Sequence, residues 1–235
     1  MSLSAIENKK YPRTYHVPFS PGTTSDDRLL HDGWFEDYQG KEIVLTEKLD
    51  GENQSCTNQD VYARSHAAPT RSDWSVNMWG PSGLFWTIKN FIADDELIYG
   101  ENLYGVHSIE YNRLTNYYHL FAVRNETRWY SWDEVTEFAS LLQIPTVPIL
   151  WRGIAESEEQ IKGLILDQMK LPSTYGVEKE GVVMRTVRGF DILSPDGVEN
   201  FPHHVCKYVR PHHVQTDVFW ARNWKRAKLI YEQYD

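Results

Sequence analysis

A lysine that closes an apolar, β-branched run just before an Asp-Gly pair stands on stiff backbone with its amine projecting past the end of the strand. Lys48, in Glu47-Lys48-Leu49-Asp50-Gly51-Glu52-Asn53, is such a residue. A free lysine amine, with a pKa near ~10.4, is charged and a poor nucleophile at neutral pH. Burial beside other cations or near a bound metal lowers that value and makes nucleophilic chemistry accessible. Taken alone, Lys-x-Asp-Gly equally describes a surface lysine beside a hairpin turn.

Further polar clusters follow in order. They are Tyr62-Ala63-Arg64-Ser65, then Tyr99-Gly100-Glu101-Asn102-Leu103-Tyr104-Gly105, then Tyr118-His119-Leu120-Phe121. After them come Glu180-Gly181-Val182-Val183-Met184-Arg185 and Val205-Cys206-Lys207-Tyr208. Two lysines and an arginine meet the need of phosphoryl transfer for cations facing developing charge. A carboxylate suits a hard divalent ion that retains several waters. A second carboxylate and an aromatic face are ordinary means of holding a ribose and a purine.

In this order and spacing the clusters, over about residues 41–210, resemble the covalent nucleotidyltransferase superfamily: the ATP-dependent RNA ligases, DNA ligases and messenger-RNA capping enzymes. The opening Lys10-Tyr11-Pro12-Arg13-Thr14 and the long form of the Lys48 motif are more similar to RNA ligases than to DNA ligases. The resemblance implies an α+β fold, with antiparallel sheets flanked by helices around an ATP cleft. It implies that Lys48 attacks the α-phosphate of ATP, releases pyrophosphate and becomes lysyl-AMP. It assigns the nucleotide or nucleic-acid end to Arg64, the ribose hydroxyls to Glu101, the adenine to Phe121 and the α-phosphate to Lys207. Glu180 would serve Mg²⁺ or Mn²⁺, directly or through water, and Glu47 and Asn53 complete the implied nucleotide site. AMP would then pass to an RNA 5′-phosphate, and a 3′-hydroxyl would seal the strand.

One departure stands out. Family members often carry two lysines one residue apart in the last motif, whereas Val205 precedes Lys207 at that spacing here. Arg185, Arg210 and His204 are the candidate substitutes. The alternatives are a GTP-using capping-type enzyme, a DNA ligase, and a non-catalytic nucleotide or RNA-end binding module. A pure binder has no need of the nucleophile Lys48.

Candidate nucleic-acid contacts are Arg64, His66, Arg71, Arg185 and Arg210. The late basic run Arg222, Lys225, Arg226 and Lys228 fits RNA phosphates or, as is commoner, a solvated helix face. His203-His204 and His212-His213 lack a third ligand at zinc spacing. Trp74, Trp79 and Trp86 form no clean stripe and suit core or groove wall.

Residues 11–27 read as an ordered surface loop. Strands are expected over 42–48, about 60–64, 96–100, 118–124, 180–186 and 204–209, and two short helical pieces within 74–92. Ser131 and Glu134 make a capping box for a helix to about Leu142, and another helix spans about 156–170. The domain reading is a nucleotidyltransferase domain over 1–210, followed by a helical extension over 211–235 with no separate C-terminal domain. That suggests a narrow RNA substrate or a protein partner for sealing. A net charge of −9 excludes a broadly basic, non-specific nucleic-acid binder. No apolar run approaches membrane-span length, and two cysteines fit a reducing cytoplasm better than a disulfide scaffold.

Overall fold

The computed structural model describes residues 8–64, 68–80, 83–211 and 224–233. Its centre is β2 (Glu42–Lys48), in which Ile43, Val44 and Leu45 have no exposed surface. Successive side chains leave opposite faces. Ile43 and Leu45 therefore join a core with Trp34, Tyr38 and Ile161, while Val44 joins one with Trp132, Val135 and Leu120. A strand buried on both faces reads as a continuous apolar run, which this one does.

β2 lies in a five-stranded sheet between β9 (Gly181–Thr186) and the edge strand β8 (Ile149–Ile154); beyond β9 come β11 (Val205–Val209) and β1 (Tyr15–His16). The second sheet has six strands. Its centre is β5 (Leu97–Asn102) between β6 (Tyr118–Arg124) and β3 (Glu52–Cys56), with β4 (Val61–Ala63) outside β3. On the far side are β7 (Arg128–Trp129) and β10 (Phe190–Asp191). Every pairing is antiparallel except that of β1 with β11. This is the α+β class expected from the sequence.

The Asp50-Gly51 pair does not close a hairpin. Both edges of β2 are taken by β8 and β9, so the chain crosses at Leu49–Gly51 into the other sheet, where β3 pairs with β4 and β5. Gly51 is required at this crossing, because a Cβ there would sit 2.5 Å from the Asn102 carbonyl oxygen.

Helices α1 (Asp73–Trp79) and α2 (Leu84–Ile88) are the two short pieces expected within 74–92. Helix α3 (Trp132–Leu142) starts at the capping box, with Ser131 and Glu134 bonded reciprocally, and buries Trp132, Val135, Ala139 and Leu142. Helix α4 (Glu158–Lys170) is capped by Ser157 and buries Ile161 and Ile165. No described helix is long and apolar enough to cross a membrane. Cys56 and Cys206 are free and buried.

Two expectations need correction, and one strand was not foreseen. Residues 11–27 are more than a surface loop: β1 pairs in parallel with β11, His16 opposite Lys207. Tyr11 packs 5.0–5.6 Å from the rings of Tyr99, Phe121, Trp129 and Phe201. Strand β8 had no sequence signal, since its Ile149 and Ile154 ends are exposed at a sheet edge and Gly153 interrupts the run. Of the helix expected to end near Tyr234, residues 214–223 and 234 lie outside the described residues. Residues 224–229 are extended, because their backbone bonds run to other segments: Val106 N–H to Lys225 O (2.9 Å), Ala227 N–H to Tyr104 O (2.8 Å). A 3₁₀ turn, Ile230–Gln233, ends this segment.

His119 on β6 is fully buried against Tyr175, and burial pushes its imidazole down to about 3. The unfolded chain titrates near ~6.5 and so binds this proton more readily, which makes stability fall as pH drops through that value. Burial likewise pushes His16 and His204 down to about 4, adding in the same direction. Replacing His119 with Phe is expected to flatten part of the fall in melting temperature between about pH 7 and pH 5. An unchanged slope in the variant would refute the assignment.

Candidate active site

Strand β2 delivers Lys48 to the junction of the two sheets. Its register partner Gly181 opens β9, which sets Glu180 beside the amine: Lys48 Nζ lies 2.5 Å from Glu180 Oε1. Gly181 permits the close approach of β11, since a Cβ would fall 2.1 Å from the Tyr208 carbonyl oxygen. From the other sheet β5 contributes Glu101, whose Oε1 accepts the Gly51 N–H at 3.1 Å. Asp50 Oδ2 accepts from Ser108 N–H (2.9 Å), Ser108 Oγ (2.6 Å) and Ile109 N–H (2.7 Å), tying the crossing to the 106–109 segment.

Lys48, Gly51 and Glu101 border a cavity of about 480 Å³. Its polar lining includes Lys48, Glu101, Lys207, Arg64 and Asn53, and its apolar lining includes Phe121, Trp132, Val147 and Val183. Glu47 also borders it. Being one residue from Lys48 it turns the other way, and its Oε2 accepts the Thr174 N–H at 2.9 Å.

Charge balance inside the cavity is tight. Burial works to lower the Lys48 pKa, but Glu180 and then Glu101 outweigh it and hold the amine above its ordinary value. Burial raises Glu101 to about 8 against the attraction of Lys48, with Glu180 and Asp50 adding to the rise. Lys207 is pushed down to about 8, by burial first and then by Lys48. Arg185 is held down to about 10 by burial, and it stays a cation at neutral pH.

Of the residues singled out from sequence, Glu47, Lys48, Asn53, Arg64, Glu101, Phe121, Arg185 and Lys207 border this one cavity, and Glu180 reaches it through Lys48. Arg71 is exposed beside a separate small depression near Asp60, and Arg210 pairs with Glu178 at 2.8 Å; neither borders the cavity. His66 lies outside the described residues. Among the three substitutes for the second lysine, His204 is occupied by Thr186 Oγ1 (3.0 Å) and stacked on Phe190. Arg185 instead pairs directly with Val205 across the β9–β11 register. Its guanidinium also donates to the carbonyls of Phe121 (3.3 Å) and Tyr130 (2.7 Å), fastening β9 to the strand that presents Phe121. Among the described residues no group of three or more His, Cys, Asp or Glu side chains could hold a metal by itself.

Sequence reasoning missed several cavity residues. Tyr11 stands in the opening stretch 10–14, His107 two residues past Gly105 and Trp132 at the start of α3; nothing in the sequence gives them a role, and only the fold brings them to the cavity. Glu52 stood inside the Lys48 motif without a role; its Oε2 accepts from Trp74 Nε1 (3.0 Å) and Ser75 Oγ (3.3 Å), fixing Trp74 on the wall.

The RNA ligase family model matches residues 41–209, the segment that supplies both sheet centres and every motif side chain above. The chain belongs to the RNA ligase family. Solved structures carry the same fold at low identity. Naegleria gruberi RNA ligase with PPi superposes at a TM-score of 0.56 and 17% identity, covering 88% of this chain and 59% of that one. A variant of that enzyme with ATP and Mn gives 0.56 and 17%, covering 88% and 60%. An archaeal ATP-dependent RNA ligase gives 0.55 and 12%, covering 86% and 48%. This family member thus spans less than two thirds of those chains. No curated protein matches it.

Proposed function

We propose that the chain is an ATP-dependent RNA ligase acting through lysyl-AMP. The observation that carries this reading is the convergence of Lys48, Glu180, Glu101, Arg64 and Lys207 on one cavity built from both sheets. The Lys48 ammonium, held charged beside Glu180, first gives one proton to solvent. Its Nζ lone pair then attacks the α-phosphorus of ATP, the bond from that phosphorus to the bridging oxygen breaks, pyrophosphate leaves, and a second proton leaves the nitrogen. An RNA 5′-phosphate oxygen then displaces the lysine, giving AMP-RNA. A 3′-hydroxyl attacks the activated 5′-phosphate, closes the phosphodiester and releases AMP.

Each part of the cavity suits a part of that chemistry. Phe121, Val183 and Trp132 give the cavity apolar surface for a purine, Glu101 would accept ribose hydroxyls, and Lys207 and Arg64 are the cations for phosphate. Glu180 and Glu101 are oxygen donors too few to cage an ion, which fits a hard divalent ion completed by water and phosphate. Such an ion supplies positive charge to the phosphates. Structures of Naegleria gruberi RNA ligase variants with ATP and Mn, and with AMP and Mn, support the same cofactor pair. We further assign residues 1–210 to a single nucleotidyltransferase domain, in which β1 of the N-terminal segment pairs with β11.

Sealing tests the reading. With ATP and Mg²⁺ the chain is expected to join 5′-phosphate and 3′-hydroxyl RNA ends and to pass through AMP-RNA. Nicked RNA duplex, single-stranded RNA and nicked DNA are to be compared directly. Sealing confined to DNA, or sealing without any AMP-RNA, would contradict it.

A further inference from the structure

We propose that Asp27 is a positioning residue for adenylyl transfer: its carboxylate anchors the Lys207 ammonium at the cavity wall and keeps it charged. The assignment rests on the ligase reading above and adds to it a residue from outside the 41–209 family segment.

The geometry is specific. Asp27 Oδ2 is fixed by two bonds from Thr24, the N–H at 3.0 Å and Oγ1 at 3.0 Å. That leaves Oδ1 to face inward, 3.6 Å from Lys207 Nζ and 3.3 Å from His16 Nε2. His16 is fully buried, and its Nδ1 lies 2.9 Å from Ser20 Oγ, which in turn accepts the Val209 N–H at 2.9 Å. The parallel β1–β11 pair sets His16 opposite Lys207, so the N-terminal segment is locked in register with the strand that carries the lysine.

Both members of the pair are shielded, with side-chain exposures of 14% for Lys207 and 13% for Asp27. An ion pair in such surroundings is screened far less than one on the surface. At 3.6 Å it is longer than an N–H···O hydrogen bond, so charge holds the ammonium without consuming a donor that a phosphate could accept.

Lys207 needs such a counter-ion. Burial works first against its charge, Lys48 on β2 and more weakly Arg64 beyond β4 repel its proton, and Asp27 and then Glu180 ahead of β9 oppose them. With Val205 in place of a second lysine, the phosphate-facing charge of the last strand falls on Lys207 alone. Losing that charge at neutral pH would disable the strand's contribution.

The test compares Asp27→Asn with wild type in the rate of labelling by ATP at two pH values. Dropping the Lys207 pKa by about one unit costs about 5-fold in rate at pH 8 and less than about 2-fold at pH 6.5. In a Lys207→Arg background the same substitution is expected to show no growth of its penalty with pH, because a guanidinium stays charged. A merely structural role gives a loss that does not change with pH in either background, and that result overturns the proposal. A second readout needs no catalysis. Amine-selective modification of Lys207, followed by mass spectrometry across pH, is expected to shift its midpoint downward in Asp27→Asn; an unmoved midpoint overturns the proposal whatever the labelling shows. If wild type takes no label, the ligase reading fails, and the modification midpoint still decides the role of Asp27.

Discussion

Lys48→Ala is expected to abolish covalent labelling by ATP, with any residual rate at least about 10³-fold below wild type, since removing a nucleophile removes the covalent step itself. Lys48→Arg is the sharper variant. A guanidinium keeps the charge that faces Glu180, so the buried carboxylate retains a cation and the fold keeps its ion pair. It cannot deliver a lone pair at any practical pH. The arginine variant is therefore expected to melt near the wild-type temperature and to take no label, whereas the alanine variant also loses stability. Gel labelling and thermal melts on the three proteins check both halves. Label in either variant would move the nucleophile to another side chain.

Lys207→Ala has the next largest effect. Removing one fixed cation or donor facing the charge that develops during group transfer costs about 10²–10³-fold in rate. Here Val205 leaves no second lysine to share the load, and Arg185 is bound to the carbonyls of Phe121 and Tyr130. The loss is expected at the upper part of that range and in the rate of adenylylation more than in ATP binding, because the charge to be neutralised grows as pyrophosphate leaves. Lys207→Arg is expected to recover much of the rate. Single-turnover labelling across ATP concentrations separates the two effects. An equal loss in binding and rate would make Lys207 an ordinary ground-state contact.

Much of this site was legible before the fold was known, for a physical reason. The roles come from the family resemblance; local apolar and β-branched runs place Lys48, Phe121 and Lys207 on strands, while Glu101 lies one residue past the strand expected over 96–100 and belongs to β5. Antiparallel register then brings them together. The capping box of α3 was legible because Ser131 and Glu134 satisfy each other within one turn. What sequence could not show depends on long-range placement. The crossing at Asp50-Gly51 looks like a hairpin until β8 and β9 are seen to occupy both edges of β2. Tyr11, His16 and Asp27 lie in a stretch with no periodicity; Tyr11 is placed by its ring contacts, and His16 and Asp27 come to Lys207 through the β1–β11 pair. Arg71 and Arg210 carried the right charge for a phosphate, but their positions turn them to Asp60 and Glu178.

The central claim is that Lys48 takes AMP from ATP. The most direct measurement is mass spectrometry of the purified chain, first as isolated and stripped with pyrophosphate, then after incubation with Mg²⁺ and each of ATP, GTP and NAD. A gain of one adenylate with ATP, mapped by peptide sequencing to Lys48 and reversed by pyrophosphate, is the predicted result. Guanylate transfer from GTP, adenylate on another residue, or an unmodified chain under all three nucleotides would contradict it.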